Sequence, residues 1–412
     1  MGNKDSKEVE ITNQVHKCIA MNKIIFLFLN KLNEERLEWL NVLLSNLIIK
    51  SDSPQFEICF FLSGESLYSL LDGRTSSIWV NLVSNPLIKL YVDQRELQIM
   101  GISIDLLKET YSSSIFLTPK NLNLGPNFWE ILLETIGKDQ FDSRVGIIQN
   151  DGPYMHRTSV YSVRLMDAAI NKDLNTEFYG YLDGVHLGHK GQNPAEFENI
   201  SQALLDIEHK ANEKKLEFLM LSCSRCGIAR GYIRSHLTQE LYSSDDTIPH
   251  YYFCNLNKII AQFEKQHPII SSNSAVITSD LHQKGSQPSL IIFLTHNPYA
   301  SEWTFGGVSF AIASASHNIT TQVIFIEDGV YGLIGKHQIN DNDKIFNLQD
   351  IIYATADMEN LEFYAHIPSF KKRNISPSTQ FNSLSLIDNR KLANIILKYN
   401  RKGLYHKRII FF

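Results

Sequence analysis

Three times along the chain a continuous apolar run gives way to a polar loop, an amphipathic stretch and a second apolar run. The first runs are Ile24-Ile25-Phe26-Leu27-Phe28-Leu29, Val145-Gly146-Ile147-Ile148 and Leu290-Ile291-Ile292-Phe293-Leu294. Runs of this length without alternation predict strands buried on both faces, as in a parallel sheet. In the second and third copies the strand runs into Gly152-Pro153-Tyr154 and Asn297-Pro298-Tyr299, where proline stops the ladder and forces a turn before a helix. The second strands end at Ser63-Gly64-Glu65, Asp183-Gly184-Val185 and Asp328-Gly329-Val330, and glycine is expected to allow the bend there. Pro153 to Asp183 and Pro298 to Asp328 span the same distance, about 30 residues, which marks an internal repeat.

A third strand in each copy runs into a short helix that ends on Gly or Asn. These are Leu90-Tyr91-Val92-Asp93 up to Gly101, Phe218 to Cys223 up to Gly231, and Phe363-Tyr364-Ala365-His366 up to Asn374. Asp93, Cys223 and His366 therefore hold one position of the repeat. A last helix (Asn127 to Ile136, Leu256 to Lys265, Arg390 to Tyr399) closes each copy, and the chain ends on the strand Ile409-Ile410-Phe411-Phe412. Alternating strands and helices predict an α/β fold of three tandem flavodoxin- or Rossmann-like units, each a mostly parallel sheet with helices on both faces. Polar, turn-forming stretches near Gly137-Lys138-Asp139 and in Ser271 to Ser289 set the expected divisions: a tail at 1–21 and units at 22–139, 140–284 and 285–412. Without long linkers, the units are expected to pack on one another.

The length of 412 residues suits three domains. A net charge of −5, with the lysines spread out, gives no basic footprint for direct nucleic-acid binding. The apolar run Ile24 to Leu29 is far short of the roughly 20 residues of a spanning helix, so no membrane insertion is expected. Met1-Gly2-Asn3-Lys4-Asp5-Ser6 fits the loose myristoylation pattern at Gly2, but the stretch to Met21 reads as a frayed tail. Of five cysteines, only Cys223 and Cys226 are close in sequence, so no disulfide framework is visible and a reducing cytoplasm is expected.

Cys223-Ser224-Arg225-Cys226 stands where an apolar strand ends and a helix begins, the edge of open α/β sheets at which ligands bind. Helix-terminal N–H groups there favour thiolate over thiol, with Arg225 and Arg230 adding positive charge. Such a thiolate can take the terminal sulfur of a donor persulfide. Cys226, one helical turn on, can attack that persulfide to release sulfide, or only tune the first thiol; the spacing leaves both open. His156 and Arg157, after the first strand of the unit, are candidate neighbours of Cys223, and Asp183 is a candidate auxiliary. Cys59, within Ile58-Cys59-Phe60-Phe61, reads as a small buried hydrophobe. A zinc site is not expected: C-x-x-C supplies half of one, and nothing in the pattern ties His186, His189 or Cys254 to the pair. A thioredoxin-like site is disfavoured because Ser222, not an aromatic residue, precedes Cys223 and the motif follows a third strand.

The middle copy resembles the DsrE family of sulfur-relay proteins through Asn150-Asp151-Gly152-Pro153-Tyr154, the helix Ser159 to Ile170, Asp183-Gly184-Val185 with Gly191-Gln192, and Cys223 to Gly231. The third copy resembles the DsrF or TusC type through Phe325 to Tyr331 and its terminal strand, and the first more weakly the DsrH or TusB type. The resemblance implies that Cys223 is the sulfur carrier, while Asp93 and His366 cannot hold a persulfide. It also implies a DsrE–DsrF–DsrH-like trimer in one polypeptide, able to pair as a homodimer, and no cofactor beyond the transient persulfide sulfur. Implied partners are a TusA-like donor and a DsrC-like or TusE-like acceptor, in tRNA thiolation or sulfur oxidation. A scaffold that only binds partners and a Cys223/Cys226 dithiol redox protein are the alternatives.

Overall fold

The computed structural model describes residues 22–49, 56–111, 115–118, 127–137, 143–234, 240–265, 267–271, 274–278, 289–379, 381, 384–396, 399–400, 403–404 and 407–412. The tail with Gly2 and Cys18, and most of both expected unit boundaries, lie outside these residues.

The first unit runs β1 (Asn22–Phe28), α1 (Glu34–Ile49), β2 (Phe56–Leu62), α2 (Gly73–Val83), β3 (Ile88–Val92), α3 (Gln94–Ile99), α4 (Ile104–Tyr111), β4 (Ile115–Leu117) and α5 (Phe128–Ile136). The second continues with β5 (Arg144–Gln149), α6 (Thr158–Asn171), β6 (Asn175–Gly180), α7 (Ile200–Glu213), β7 (Phe218–Cys223), α8 (Ser224–Ala229), β8 (Tyr251–Cys254), α9 (Leu256–Phe263) and β9 (Ile269–Ser271), and then β10 (Ser274–Thr278). The third comprises β11 (Ser289–Leu294), α10 (Trp303–Ser316), β12 (Thr320–Phe325), α11 (Leu348–Thr355), β13 (Leu361–His366), α12 (Ile367–Lys372), β14 (Ser385–Ile387) and α13 (Asn389–Ile396). A small ribbon of β15 (Tyr399–Asn400) and β16 (Gly403–Leu404) leads to the last strand, β17 (Lys407–Phe411).

The fold is α/β, with three five-stranded sheets of one order: β4-β3-β2-β1-β10, β8-β7-β6-β5-β9 and β14-β13-β12-β11-β17. Within these three sheets the pairings are parallel except β1 with β10, which is antiparallel. The sequence division at 140–284 put Ser274–Thr278 with the second unit, yet this segment completes the first sheet. An apolar strand can pair with whichever open edge lies nearest, and periodicity does not say which edge that is.

Both faces of the central strands are buried, as the unbroken apolar runs require. Ile25 and Leu27 enter one core and Ile24, Phe26 and Phe28 another; likewise Leu290, Ile292 and Leu294 oppose Ile291 and Phe293. One of these cores contains residues of all three units. Contacts between units repeat cyclically, the last helix of each lying on the first helix of the next: α5 on α6, α9 on α10 and α13 on α1. The fifth strands β9, β10 and β17 also lie against one another. The units thus close into a ring around an approximate threefold axis.

The second strands lead into turns of equal length, Gly64–Leu70, Leu182–Gly188 and Glu327–Leu333, each entered with positive φ (60°, 51° and 53°). Gly64 therefore corresponds to Leu182 and Glu327, two residues before the glycines with which the sequence aligned it. Gly184 and Gly329 are needed for a different reason: a Cβ there would come 1.9 Å from the carbonyl oxygen of Gln149 or Leu294.

Candidate functional site

Cys223 is the last residue of β7 and the N-cap of α8. Asp93 and His366 are the N-caps of α3 and α12, so the three residues equated by the repeat hold one structural position. Each of these six-residue helices is followed by a residue of positive φ, Gly101, Gly231 or Asn374, which turns the chain away. Gly227 lets α8 lie close on β8, since a Cβ there would meet the Phe253 ring at 2.6 Å.

The Asp93 carboxylate shows what this position offers, accepting hydrogen bonds from the backbone N–H groups of Arg95 (3.0 Å) and Glu96 (3.3 Å). At Cys223 no cap of ordinary geometry forms, but the N–H groups of Cys226 and Arg225 still favour the thiolate. Donation from the Cys226 thiol is the largest influence lowering the Cys223 pKa, burial opposes it, and the Arg225 charge adds to it. Cys226 is pushed strongly upward, first by holding its proton toward Cys223 and then by burial. The pair is thus polarised in one direction, the Cys226 proton aimed at Cys223 and the thiolate favoured on Cys223.

The two sulfurs lie in a cavity of about 160 Å³ between the second and third units, lined by Tyr181, Leu182, Arg225, Arg230 and, from α10 and the residue before it, Glu302 and Phe305. Cys223 is 1% exposed and Cys226 9%. The Leu182 N–H adds a weaker stabilising contact to the Cys226 sulfur. Tyr181 donates its hydroxyl to the carbonyl of Gly306 at 2.9 Å, tying the wall of one unit to the helix of the next.

Arg230 is held between Asp183 (Nε to Oδ1, 2.7 Å) and Glu302 (2.7 Å). Burial would weaken its charge, but these two carboxylates outweigh that and raise its pKa. The next interface carries the same device, Arg373 bonding Asp328 at 2.8 Å and Glu35 of the first unit at 2.9 Å. The position three residues after the helix cap faces across each interface as well. Glu96 accepts from Arg157 (3.0 Å), Arg164 (2.7 Å) and Tyr161 (2.9 Å), while Ser369 bonds Glu35. Cys226 is the counterpart of Glu96 and Ser369.

Of the residues singled out in the sequence, Cys223, Cys226, Arg225 and Arg230 come together, and Asp183 acts on the cavity through Arg230. His156 and Arg157 do not. Arg157 pairs with Glu96 of the first unit, and His156 faces a separate cavity with Asn30, Asp151 and His296. The first helix of each unit covers the preceding unit in the ring, so the loop over Cys223 is the third unit's. Its Glu302, N-cap of α10, corresponds to Arg157, N-cap of α6. Glu302 and Phe305 were missed in the sequence; the turn Asn297-Pro298-Tyr299 ahead of them was the available signal. Cys254, thought unconnected, is the register partner of Cys223 across β7 and β8. Burial, then the Cys223 charge, pushes its thiol up to about 12, so it stays protonated. Cys59 is fully buried and likewise raised to about 12. Among the described residues no group of His, Cys, Asp and Glu forms a metal cluster, and no helix is long and apolar enough to cross a membrane.

Fold and site together define a three-unit α/β protein with a buried dithiol at one of its unit interfaces. Residues 289–402, nearly the whole third unit, match the model of the DsrE/DsrF-like family. The match falls on the unit that carries His366 in place of the cysteine. No curated protein matches the chain.

Proposed function

We propose that the protein is a sulfur carrier in which Cys223 takes up sulfane sulfur as a persulfide and passes it to a second protein. The carrying observation is the thiolate-favouring pair: Cys223 stands at the N-cap position of α8, accepts a hydrogen bond from the Cys226 thiol, and lines a narrow cavity with it. The DsrE/DsrF-like match in the third unit adds support, because sulfur relay is the role of that family and the second unit repeats the same sheet order.

In the reaction, the Cys223 thiolate attacks the terminal sulfur of a donor R–S–SH. The donor S–S bond breaks, R–S⁻ leaves, and Cys223–S–SH forms with no net oxidation. An acceptor thiolate reverses the step from its own side. Alternatively, Cys226 attacks the inner sulfur, giving a Cys223–Cys226 disulfide and releasing sulfide. In this reading the donor and acceptor are small sulfur-carrier proteins, TusA-like and DsrC-like or TusE-like, serving tRNA thiolation or sulfur oxidation, and the first and third units act as walls and docking surfaces. Two copies of the ring can pair as a homodimer.

Cys223→Ser tests the reading against a bare scaffold. Sulfur transfer from a persulfide donor to an acceptor thiol should fall to the uncatalysed rate; full transfer by the variant would favour the scaffold. A dithiol redox protein would instead show reversible Cys223–Cys226 oxidation in a potential titration and take up no sulfur.

A further inference from the structure

Each unit meets the next through a similar set of charged bonds, but their burial differs round the ring. Where the first unit meets the second, the Glu96 side chain has no exposed surface and takes bonds from Arg157, Arg164 and Tyr161. Where the third meets the first, Glu35 is 4% exposed and holds Arg373 and Ser369, and Arg36 forms a second buried pair with Glu327 at 2.9 Å. Carboxylates placed in this way cannot leave their partners without stranding a charge out of water, so these two interfaces stay shut. Over the dithiol, where the second unit meets the third, the corresponding bridge runs from Arg230 to Glu302 and Asp183, whose side chains are 59% and 54% exposed. Water and salt reach both carboxylates, and release of Glu302 leaves Arg230 paired with Asp183 at 2.7 Å.

Two further features set this interface apart. Glu302 is the N-cap of α10 yet makes no cap bond, its carboxylate being turned onto Arg230. Cys226 stands where Glu96 and Ser369 reach across the other interfaces, and its thiol is turned to Cys223 within its own unit. The opposite end of the same interface is pinned. Arg408, near the start of β17, donates to the carbonyls of Phe263, Lys265 and His267, and its guanidinium lies 5.3 Å from the centre of the Phe263 ring. These contacts lie at the amino edge of the sheets and the cysteines at the carboxyl edge. An anchor at one edge and a solvated bridge at the other are the parts of a hinge.

Cys223, 1% exposed, offers almost no surface to an incoming reagent, although reaction at a thiol depends on access. We propose that the second and third units part at the carboxyl edge, with the Arg230–Glu302 bridge as the latch and the Arg408 contacts as the fixed end, and that this opening admits thiols and electrophiles to the Cys223–Cys226 pair. Opening also frees the Tyr181 hydroxyl from the Gly306 carbonyl, a neutral bond that water replaces. The third unit, with His366 at the position of Cys223, then sets how often the dithiol is reached. The opening does not depend on what Cys223 carries, so it is measured by plain alkylation, apart from the sulfur-carrier reading.

Glu302→Gln keeps the shape of the side chain and removes the latch. Iodoacetamide, small and uncharged, reports access when its rate is read on the Cys223 peptide at the pH plateau where Cys223 is fully thiolate. There the variant should react roughly threefold faster than wild type at low salt, the scale of an exposed ion pair. Wild type should speed up toward the variant as sodium chloride is raised, while the variant stays level. Glu264→Gln is the control: it cuts the exposed contact of Glu264 with His317 (3.0 Å) across the same interface at the pinned end, and should leave the rate unchanged. Circular dichroism and the urea midpoint should agree among the three proteins. Equal plateau rates in Glu302→Gln and wild type overturn the latch, as does a wild-type rate indifferent to salt. Acceleration confined to pH values below the plateau would mean that Glu302 acts on the Cys223 charge and not on access. Equal acceleration by Glu264→Gln would mean an interface loose along its whole length, with no hinge. Cysteine access that follows the latch while Cys223 takes up no sulfur from a persulfide donor removes the carrier reading alone.

Discussion

Cys223 and Cys226 are coupled by a hydrogen bond that the Cys226 thiol donates, and its direction carries a pH prediction. The Cys223 pKa is lowered, chiefly by the Cys226 thiol and against burial, so its thiolate should persist at pH values where an ordinary cysteine is protonated, with reactivity lost only as pH falls through the lowered value. Cys226→Ala removes the donor, and Cys226→Ser keeps an O–H in its place. A hydrogen bond to a charged group contributes about 1.5 kcal/mol or more, so alkylation of Cys223 near neutral pH should slow on the order of tenfold in the alanine variant, its pH midpoint moving upward. The serine variant should stay closer to wild type; equal profiles for all three would remove Cys226 from this role. The shared capping position was legible in the sequence because strand, cap and helix-ending residue recur with Asp93, Cys223 and His366 in register. Cys254 was not, since its place beside Cys223 depends on the pairing of two strands far apart in sequence.

At the level of elements, most strands and helices follow from apolar runs and turn residues, whereas the neighbours of the site follow from packing between units. Periodicity marks which face of α6 or α10 is apolar but not which unit that face covers, and this is why Arg157 was expected where Glu302 stands. The seating of α10 on the turn Leu182–Gly188 depends on Gly306: a Cβ there would lie 2.8 Å from the Leu182 side chain, and its carbonyl receives the Tyr181 hydroxyl. Gly306→Val should wedge the second and third units apart. The expected results are a loss of about 1–3 kcal/mol in denaturant titration, the usual scale of overpacking, and faster alkylation of both cavity cysteines in the folded protein. Stability lost with cysteine access unchanged would place the cavity wall elsewhere.

Over the whole molecule, the cyclic helix contacts and a core shared by all three units predict one cooperative body rather than three beads. Tryptophan fluorescence reports mainly on the first and third units, through Trp39, Trp79, Trp129 and Trp303, while protection of Cys223 from alkylation reports on the second. Their midpoints in urea should coincide; an earlier loss of Cys223 protection would mean that the second unit opens alone. A ring explains how two units without a cysteine at this position still support the dithiol cavity, one closing it and the other completing the circle through α1 and α13. The account stands most directly on the fate of one sulfur atom. Folded protein incubated with a persulfide donor and analysed by peptide mass spectrometry should gain about 32 Da, one sulfur, on the Cys223 peptide, and Cys223→Ser should gain none. Folded wild-type protein with no adduct on Cys223 would contradict it.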